Sequence, residues 1–161
     1  MPGVPRAAPL LVLLLVAVAL GACGEKEGDT AADKKAYVAK VNAVQERFAS
    51  EVTTVTTEYT AKSSTDQDQK TLRDFETAIG TFVDDLRRIK VPVSLKAEHT
   101  QLVGAMSGYA TDIAQATAAL TNPTTRTLAD ASDRIRTATQ TVNSRLIAAR
   151  EAINAKLSAN Q

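Results

Sequence analysis

The sequence has few of the residues that build most catalytic and metal centres. Among 161 residues there is one cysteine, one histidine and no tryptophan, and aromatic residues make up 4% of the chain. A single cysteine excludes disulfides within the chain and zinc sites built from several thiolates. A single histidine, with no serine in a glycine-flanked elbow, leaves no candidate catalytic triad and no di-iron bundle site. We therefore expect no enzymatic activity, no metal and no cofactor.

A charge excess of one sign is also absent. The chain has 19 basic and 18 acidic residues, a net charge of +1. Removing residues 1–22, whose only charged side chain is Arg6, leaves a balanced chain. Nucleic-acid-binding domains carry a clustered basic surface and a basic net charge. We therefore expect no nucleic-acid partner.

One long apolar run lies near the start of the chain. Residues 10–20 are all apolar, follow Arg6 and lead into Leu20-Gly21-Ala22-Cys23. The run is shorter than the ~20 apolar residues that a membrane-spanning helix needs. A positive charge, an apolar run and small residues are instead typical of a secretory signal peptide.

The end of this run resembles the lipobox of bacterial lipoproteins, which is an aliphatic residue, two small residues and a cysteine. The resemblance implies cleavage between Ala22 and Cys23 and a diacylglycerol on the Cys23 thiol. Two acyl chains anchor a protein stably. The bilayer is then a partner, and the protein lies on the outer face of the cell membrane, or on the periplasmic side of a membrane in a two-membrane cell. The alternative is an ordinary signal peptide, with Cys23 left as a free thiol. Leu20 fits the cleavage site of such a peptide poorly, because a small residue is expected at its position.

The rest of the chain has the apolar periodicity of packed helices. Residues 1–22 are assigned to the signal peptide, 23–33 to the lipidated cysteine and a flexible tether, and 34–161 to a helical domain. Apolar residues recur there at alternating spacings of three and four, as in helices packed nearly parallel. Breaks at residues 63–66, Pro92 and Asn122-Pro123 predict helices at about 34–62, 66–90, 94–121 and 124–158. Short connections make consecutive helices antiparallel, so the sequence predicts an all-α, up-down-up-down four-helix bundle.

The apolar residues of each predicted helix form a stripe along one face. When the chain folds back at these breaks, the four stripes meet and their side chains fall into layers. Each layer mixes large and small side chains, as close packing requires. Two of the predicted layers are Phe48, Phe82, Leu102 and Leu146, and Val55, Phe75, Tyr109 and Ala138. Tyr59 and Leu72 belong to the layer at the opposite end of the bundle from the tether.

Three side chains on the third stripe are candidates for a ligand or pH-sensitive site: His99, Tyr109 and Met106. Histidine titrates near neutral pH and is easily shifted by burial. The plainer interpretation is packing: a half-exposed His99 bonded to Asp85 or to a turn carbonyl, a tyrosine whose hydroxyl meets an edge, and a methionine filling the core. Two functions remain open. One is a non-enzymatic helical interaction or structural module of the cell envelope, with another envelope protein as a possible partner. The other is a lipoprotein that binds a small apolar ligand inside the bundle.

Charge is distributed unevenly along the predicted bundle. The end near the tether carries about +5 and the opposite end about −3. Arg87, Arg88, Lys90 and Lys96 surround the connection between the second and third helices, and we expect them to contact the membrane surface. Basic groups near an anionic surface add roughly 1 kcal/mol each. A compatible explanation is helix-dipole complementarity, since two helices begin with acidic residues and end with basic ones.

Overall fold

The computed structural model describes residues 29–57, 65–119 and 125–159. These residues form four long helices, α1 (Ala31–Thr57), α2 (Thr65–Arg87), α3 (Lys96–Ala119) and α4 (Thr125–Ser158), with a short 3-10 helix (Val93–Leu95) before α3. No strand occurs within these ranges. The backbones of α3 and α4 pack along the longest contact, and α2 packs against both α1 and α3. The all-α, up-down-up-down four-helix bundle is therefore confirmed.

The predicted stripes form one continuous core. Leu86, Leu102, Met106 and Ile113 are all at most 1% exposed. The rings of Phe48 and Phe82 stack with their centroids 4.6 Å apart, as the layer that pairs them predicts. Tyr59, which the sequence places in the layer farthest from the tether, lies outside the described residues.

The first helix begins earlier than the predicted boundary at residue 34, because a capping box precedes it. The Thr30 hydroxyl accepts a hydrogen bond from the Asp33 N–H at 3.1 Å. The Asp33 carboxylate in turn accepts from the Thr30 N–H at 3.1 Å and from the Thr30 hydroxyl at 2.7 Å. These bonds satisfy free backbone donors at the start of a helix. They lower the pKa of Asp33 below its ordinary value, and residues 31–33 are helix rather than tether.

The second helix ends at Arg87, three residues before the predicted boundary at residue 90. The Ile89 N–H bonds to the Leu86 carbonyl at 3.1 Å, so the last turn tightens to the three-residue spacing of a 3-10 turn. Pro92 follows and disfavours helix at Val91. The chain then re-enters helix through the 3-10 turn, so that the connection between α2 and α3 is short and ordered.

A substitution at Gly104 tests whether this part of α3 is helical and exposed. Gly104 lies on an exposed part of α3, and a Cβ added there would meet nothing within 4 Å. Glycine inside a helix costs about 0.5–1 kcal/mol relative to alanine, because its unfolded backbone has more freedom to lose. We expect Gly104→Ala to raise the free energy of unfolding by that amount in urea titrations followed by circular dichroism. The reverse change at an exposed site of α4, Ala148→Gly, should lower it by a similar amount. A lower stability for Gly104→Ala would contradict the helical packing described here.

Candidate functional site

The three candidate ligand residues lie inside the bundle. His99 is 7% exposed, Tyr109 is 2% exposed and Met106 is fully buried. His99 and Tyr109 are ten residues apart on α3, which separates their backbones by about 15 Å along the helix. The structure therefore places them in different layers, and they do not line one common site.

His99 is bonded through both ring nitrogens. Its Nε2 lies 3.1 Å from the Leu86 carbonyl oxygen, and its Nδ1 lies 3.1 Å from the Tyr37 hydroxyl. A carbonyl oxygen only accepts, so Nε2 carries the proton and donates it to Leu86. Nδ1 of the neutral ring then accepts from the Tyr37 hydroxyl. This arrangement joins α1, the end of α2 and α3 at the end of the bundle where α1 begins.

The environment of this pair keeps both side chains neutral. Burial lowers the pKa of His99 below its ordinary value, and the bond to the Leu86 carbonyl offsets this effect only in part. Burial, together with the charge of Glu98, raises the pKa of Tyr37 to about 12. The pair is therefore a neutral hydrogen-bonded unit at physiological pH.

Two details of the sequence-based interpretation of His99 are wrong. The ring is buried rather than half exposed, because Tyr37, which is 1% exposed, packs against it edge-on. Asp85 is not its partner, since the Asp85 carboxylate instead pairs with Arg47 of α1 and Arg88. The alternative in that interpretation, a backbone carbonyl at the end of a helix, is the partner found. The sequence interpretation of Tyr37 was the same as that of Tyr109, a core tyrosine whose hydroxyl meets an edge, and its bond to His99 was not predicted.

Tyr109 and Met106 contribute mainly to packing. The Tyr109 hydroxyl lies 3.3 Å from the Thr139 hydroxyl, and its ring meets Phe75 edge-on with centroids 6.3 Å apart. Because the Thr139 hydroxyl donates to the Ile135 carbonyl at 2.8 Å, the Tyr109 hydroxyl is the donor to Thr139. Burial raises the pKa of Tyr109, so that its hydroxyl stays protonated.

A shallow groove opens elsewhere, between α3 and α4. Its volume is about 290 Å³, and none of the three candidate residues lines it. Its walls carry mostly polar and charged side chains, Asp112, Gln115, Asp133, Arg134, Thr137, Ala138 and Thr141. The groove is open to solvent, whereas a small apolar ligand binds in a concave pocket that buries most of its surface.

The basic residues of the predicted membrane contact surround the connection between α2 and α3. We call residues 87–96 the basic turn: Arg87, Arg88, Lys90 and Lys96 are all exposed, and the segment contains no acidic residue. Arg87 and Arg88 form surface ion pairs with Asp84 and Asp85, one turn earlier on α2. The structure thus places all four predicted residues on one short segment at the end of the bundle.

The chain that precedes α1 is bound to this turn. The Asp29 carboxylate accepts hydrogen bonds from the backbone N–H groups of Val93 at 2.6 Å and Ser94 at 2.7 Å. Although burial by itself raises it, the bonds from Ser94 and Val93 and the nearby charge of Lys34 lower the pKa of Asp29 below its ordinary value. Assigning Asp29 to a flexible tether was therefore wrong, and its charge reduces the excess at this end by one.

The lipidation and cleavage positions, Cys23 and Ala22, lie outside the described residues, and the lipobox stays a prediction. Within the described ranges, no helix is long and apolar enough to cross a membrane. No protein-family model, curated protein or solved structure matches this chain. The function must therefore be argued from its own residues.

Removing the Tyr37 hydroxyl should destabilise the bundle. In Tyr37→Phe the buried Nδ1 of His99 loses its donor, and an unpaired buried polar group costs about 1–3 kcal/mol. Tyr109→Phe is the matched control: Thr139 keeps its bond to the Ile135 carbonyl, so we expect a loss of about 0.5–1.5 kcal/mol. Urea unfolding of the two variants measures the difference. Equal losses would mean that the Tyr37–His99 bond contributes nothing specific.

Stability should also fall in mild acid because of His99. Its pKa is lower in the folded than in the unfolded chain, where the ordinary value is 6.5. The unfolded chain therefore takes up the proton first as the pH falls. The contribution of neutral His99 is complete above pH 6.5 and declines from there toward the folded-state pKa. His99→Gln, whose amide can still donate to Leu86 and accept from Tyr37, should flatten the dependence of the unfolding free energy on pH just below 6.5. An unchanged slope in this variant would assign the acid sensitivity to other groups.

Proposed function

We propose that this chain is a lipoprotein, anchored to the outer face of the cell membrane through acylated Cys23, whose helical bundle acts as a non-enzymatic interaction or structural module of the cell envelope. The observation that carries the proposal is Cys23 itself, the only cysteine of the chain, placed directly after an apolar run and two small residues. An acylated cysteine at that position needs no further thiol, and the rest of the chain has none.

The proposal that the bundle acts by binding a partner is supported by the hydrogen bonds of its buried polar side chains. Tyr37, His99 and Tyr109 are buried and bonded to other groups of the bundle. Side chains that could have bound an internal ligand thus hold helices together, and the helix surfaces and ends are what a partner can contact. No contact among the described residues favours the second candidate function, binding of an apolar ligand.

Replacing Cys23 tests the anchor. The full chain, expressed with a C-terminal affinity tag in a bacterium that processes lipoproteins, should yield a mature protein that begins at residue 23 and carries acyl chains. Cys23→Ala should carry no acyl chain and should keep residues 1–22, because the cysteine is also the cleavage determinant. Intact mass spectrometry measures both. A wild-type protein cut elsewhere and without lipid would contradict the anchor and leave an ordinary signal peptide.

The same preparation tests the interaction module. If the bundle acts by binding, cross-linking in native membranes followed by purification through the tag should recover one envelope protein in a fixed ratio to the lipoprotein. A lipoprotein that is recovered alone, at native expression and after cross-linking, would argue against this part of the proposal while leaving the anchor intact.

A further inference from the structure

The basic turn exposes one large apolar side chain. Val93 is 71% exposed, whereas its neighbours Ile89, Pro92 and Leu95 are buried. Among the described residues only Ile147, at 37%, is also an exposed large apolar side chain. A single exposed valine needs no explanation by itself, so its surroundings decide what it means.

Those surroundings are basic. Arg87, Arg88, Lys90 and Lys96 lie within six residues of Val93 on either side, and no acidic residue lies between them. Two acidic groups near the start of α1 also lie at this end. Asp29 accepts from the backbone N–H groups of Val93 and Ser94, and Asp33 lies near enough to Lys90 for that charge to help lower its pKa. The Arg87–Asp84 pair is exposed, and such pairs contribute little to stability. The Arg88 side chain is also exposed, and its largely covered partner Asp85 keeps a second ion pair, with Arg47, when Arg88 moves away. Both guanidinium groups can therefore exchange their carboxylate for a phosphate.

The short stretch of chain between Cys23 and Asp29 limits how far the basic turn can lie from the membrane. Cys23 precedes Asp29 by six residues, and a fully extended chain of that length spans about 20 Å. Because Asp29 is bonded to the backbone of Val93, the basic turn cannot lie farther than about that distance from the acyl chains. The opposite end lies most of a helix length away, and the 34 residues of α4 span about 50 Å.

We propose that the basic turn docks on the bilayer that carries the lipid of Cys23, with Val93 entering the interface and Arg87, Arg88, Lys90 and Lys96 contacting anionic headgroups. This inference rests on the proposed lipid anchor and adds a second, non-covalent contact that orients the bundle. An apolar side chain within a basic rim matches the chemistry of an anionic lipid surface. The turn thus holds the helices upright on the membrane, with the starts of α2 and α4 facing outward.

A single environment-sensitive fluorophore tests the docking. Acylation consumes the thiol of Cys23, so Val93→Cys in the full-length lipoprotein introduces a unique labelling site. The matched control is Gln67→Cys, an exposed position near the start of α2 at the opposite end. Both proteins are purified from membranes, checked for acylation by mass, labelled and reconstituted into vesicles of phosphatidylcholine with or without phosphatidylglycerol. In vesicles with phosphatidylglycerol we expect the label at 93 to shift to the blue and to be quenched by nitroxide lipids, and the label at 67 to do neither.

Charge reversal tests the basic rim. Each basic group near an anionic surface favours docking roughly fivefold, so Lys90→Glu with Lys96→Glu should lower the ratio of docked to undocked label at 93 by about 25-fold or more. Arg134→Glu with Arg136→Glu makes the same change in net charge on α4, toward the opposite end, and should leave the ratio unchanged. The docked fraction should fall with added salt, since exposed charges are screened.

The outcomes separate the inference from the anchor on which it rests. An acylated protein whose label at 93 stays as solvent-exposed as the label at 67 overturns the docking and leaves the anchor standing. A protein without acyl chains overturns the anchor and the inference together. A shift at 93 in native membranes but not in pure lipid also overturns the inference, because the turn then binds a protein.

Discussion

Burial of the four apolar stripes is the constraint on which the whole structure depends. With one cysteine the chain can form no internal disulfide, and with few aromatic residues it has few large side chains to bury. Most of the core is aliphatic or alanine, contributed at spacings of three and four by every helix. Such a core is stable only when all four helices contribute, since each stripe is covered by the others.

This constraint explains why the fold could be predicted from the sequence. A stripe of alternating three- and four-residue spacings indicates both a helix and the face that it buries, and the breaks between stripes determine the antiparallel order. The contact between Phe48 and Phe82 could also be predicted, because the two residues lie at matching distances from the break between their helices. Helix ends were less accurate: α1 begins and α2 ends three residues before the predicted positions, because capping and tight turns are local hydrogen-bond effects that a stripe does not reveal.

The polar contacts could not be predicted for a different physical reason. The bond between Asp29 and the backbone of Val93 joins residues 64 apart, and the bond between Tyr37 and His99 joins residues 62 apart. Neither has a periodic signal: Asp29 lies in a polar segment that resembles a tether, and Tyr37 occupies an ordinary stripe position. The burial of His99 could not be predicted either, because a stripe position near the end of a bundle is compatible with both a half-exposed and a covered ring.

Several of these polar contacts lie together at the end where α1 begins, and their position bears on function. The Asp29 bond, the Thr30–Asp33 capping box and the Tyr37–His99–Leu86 chain all lie where α1 begins, next to the basic turn. Hydrogen bonds are directional, so they fix the relative position of chain segments more narrowly than apolar contacts do. The end closest to the proposed lipid anchor is thus held by several directional bonds. A bundle anchored only by a flexible segment could adopt any tilt. A bundle whose anchored segment is bonded to its own basic turn can present one end to the membrane and keep the other exposed to a partner.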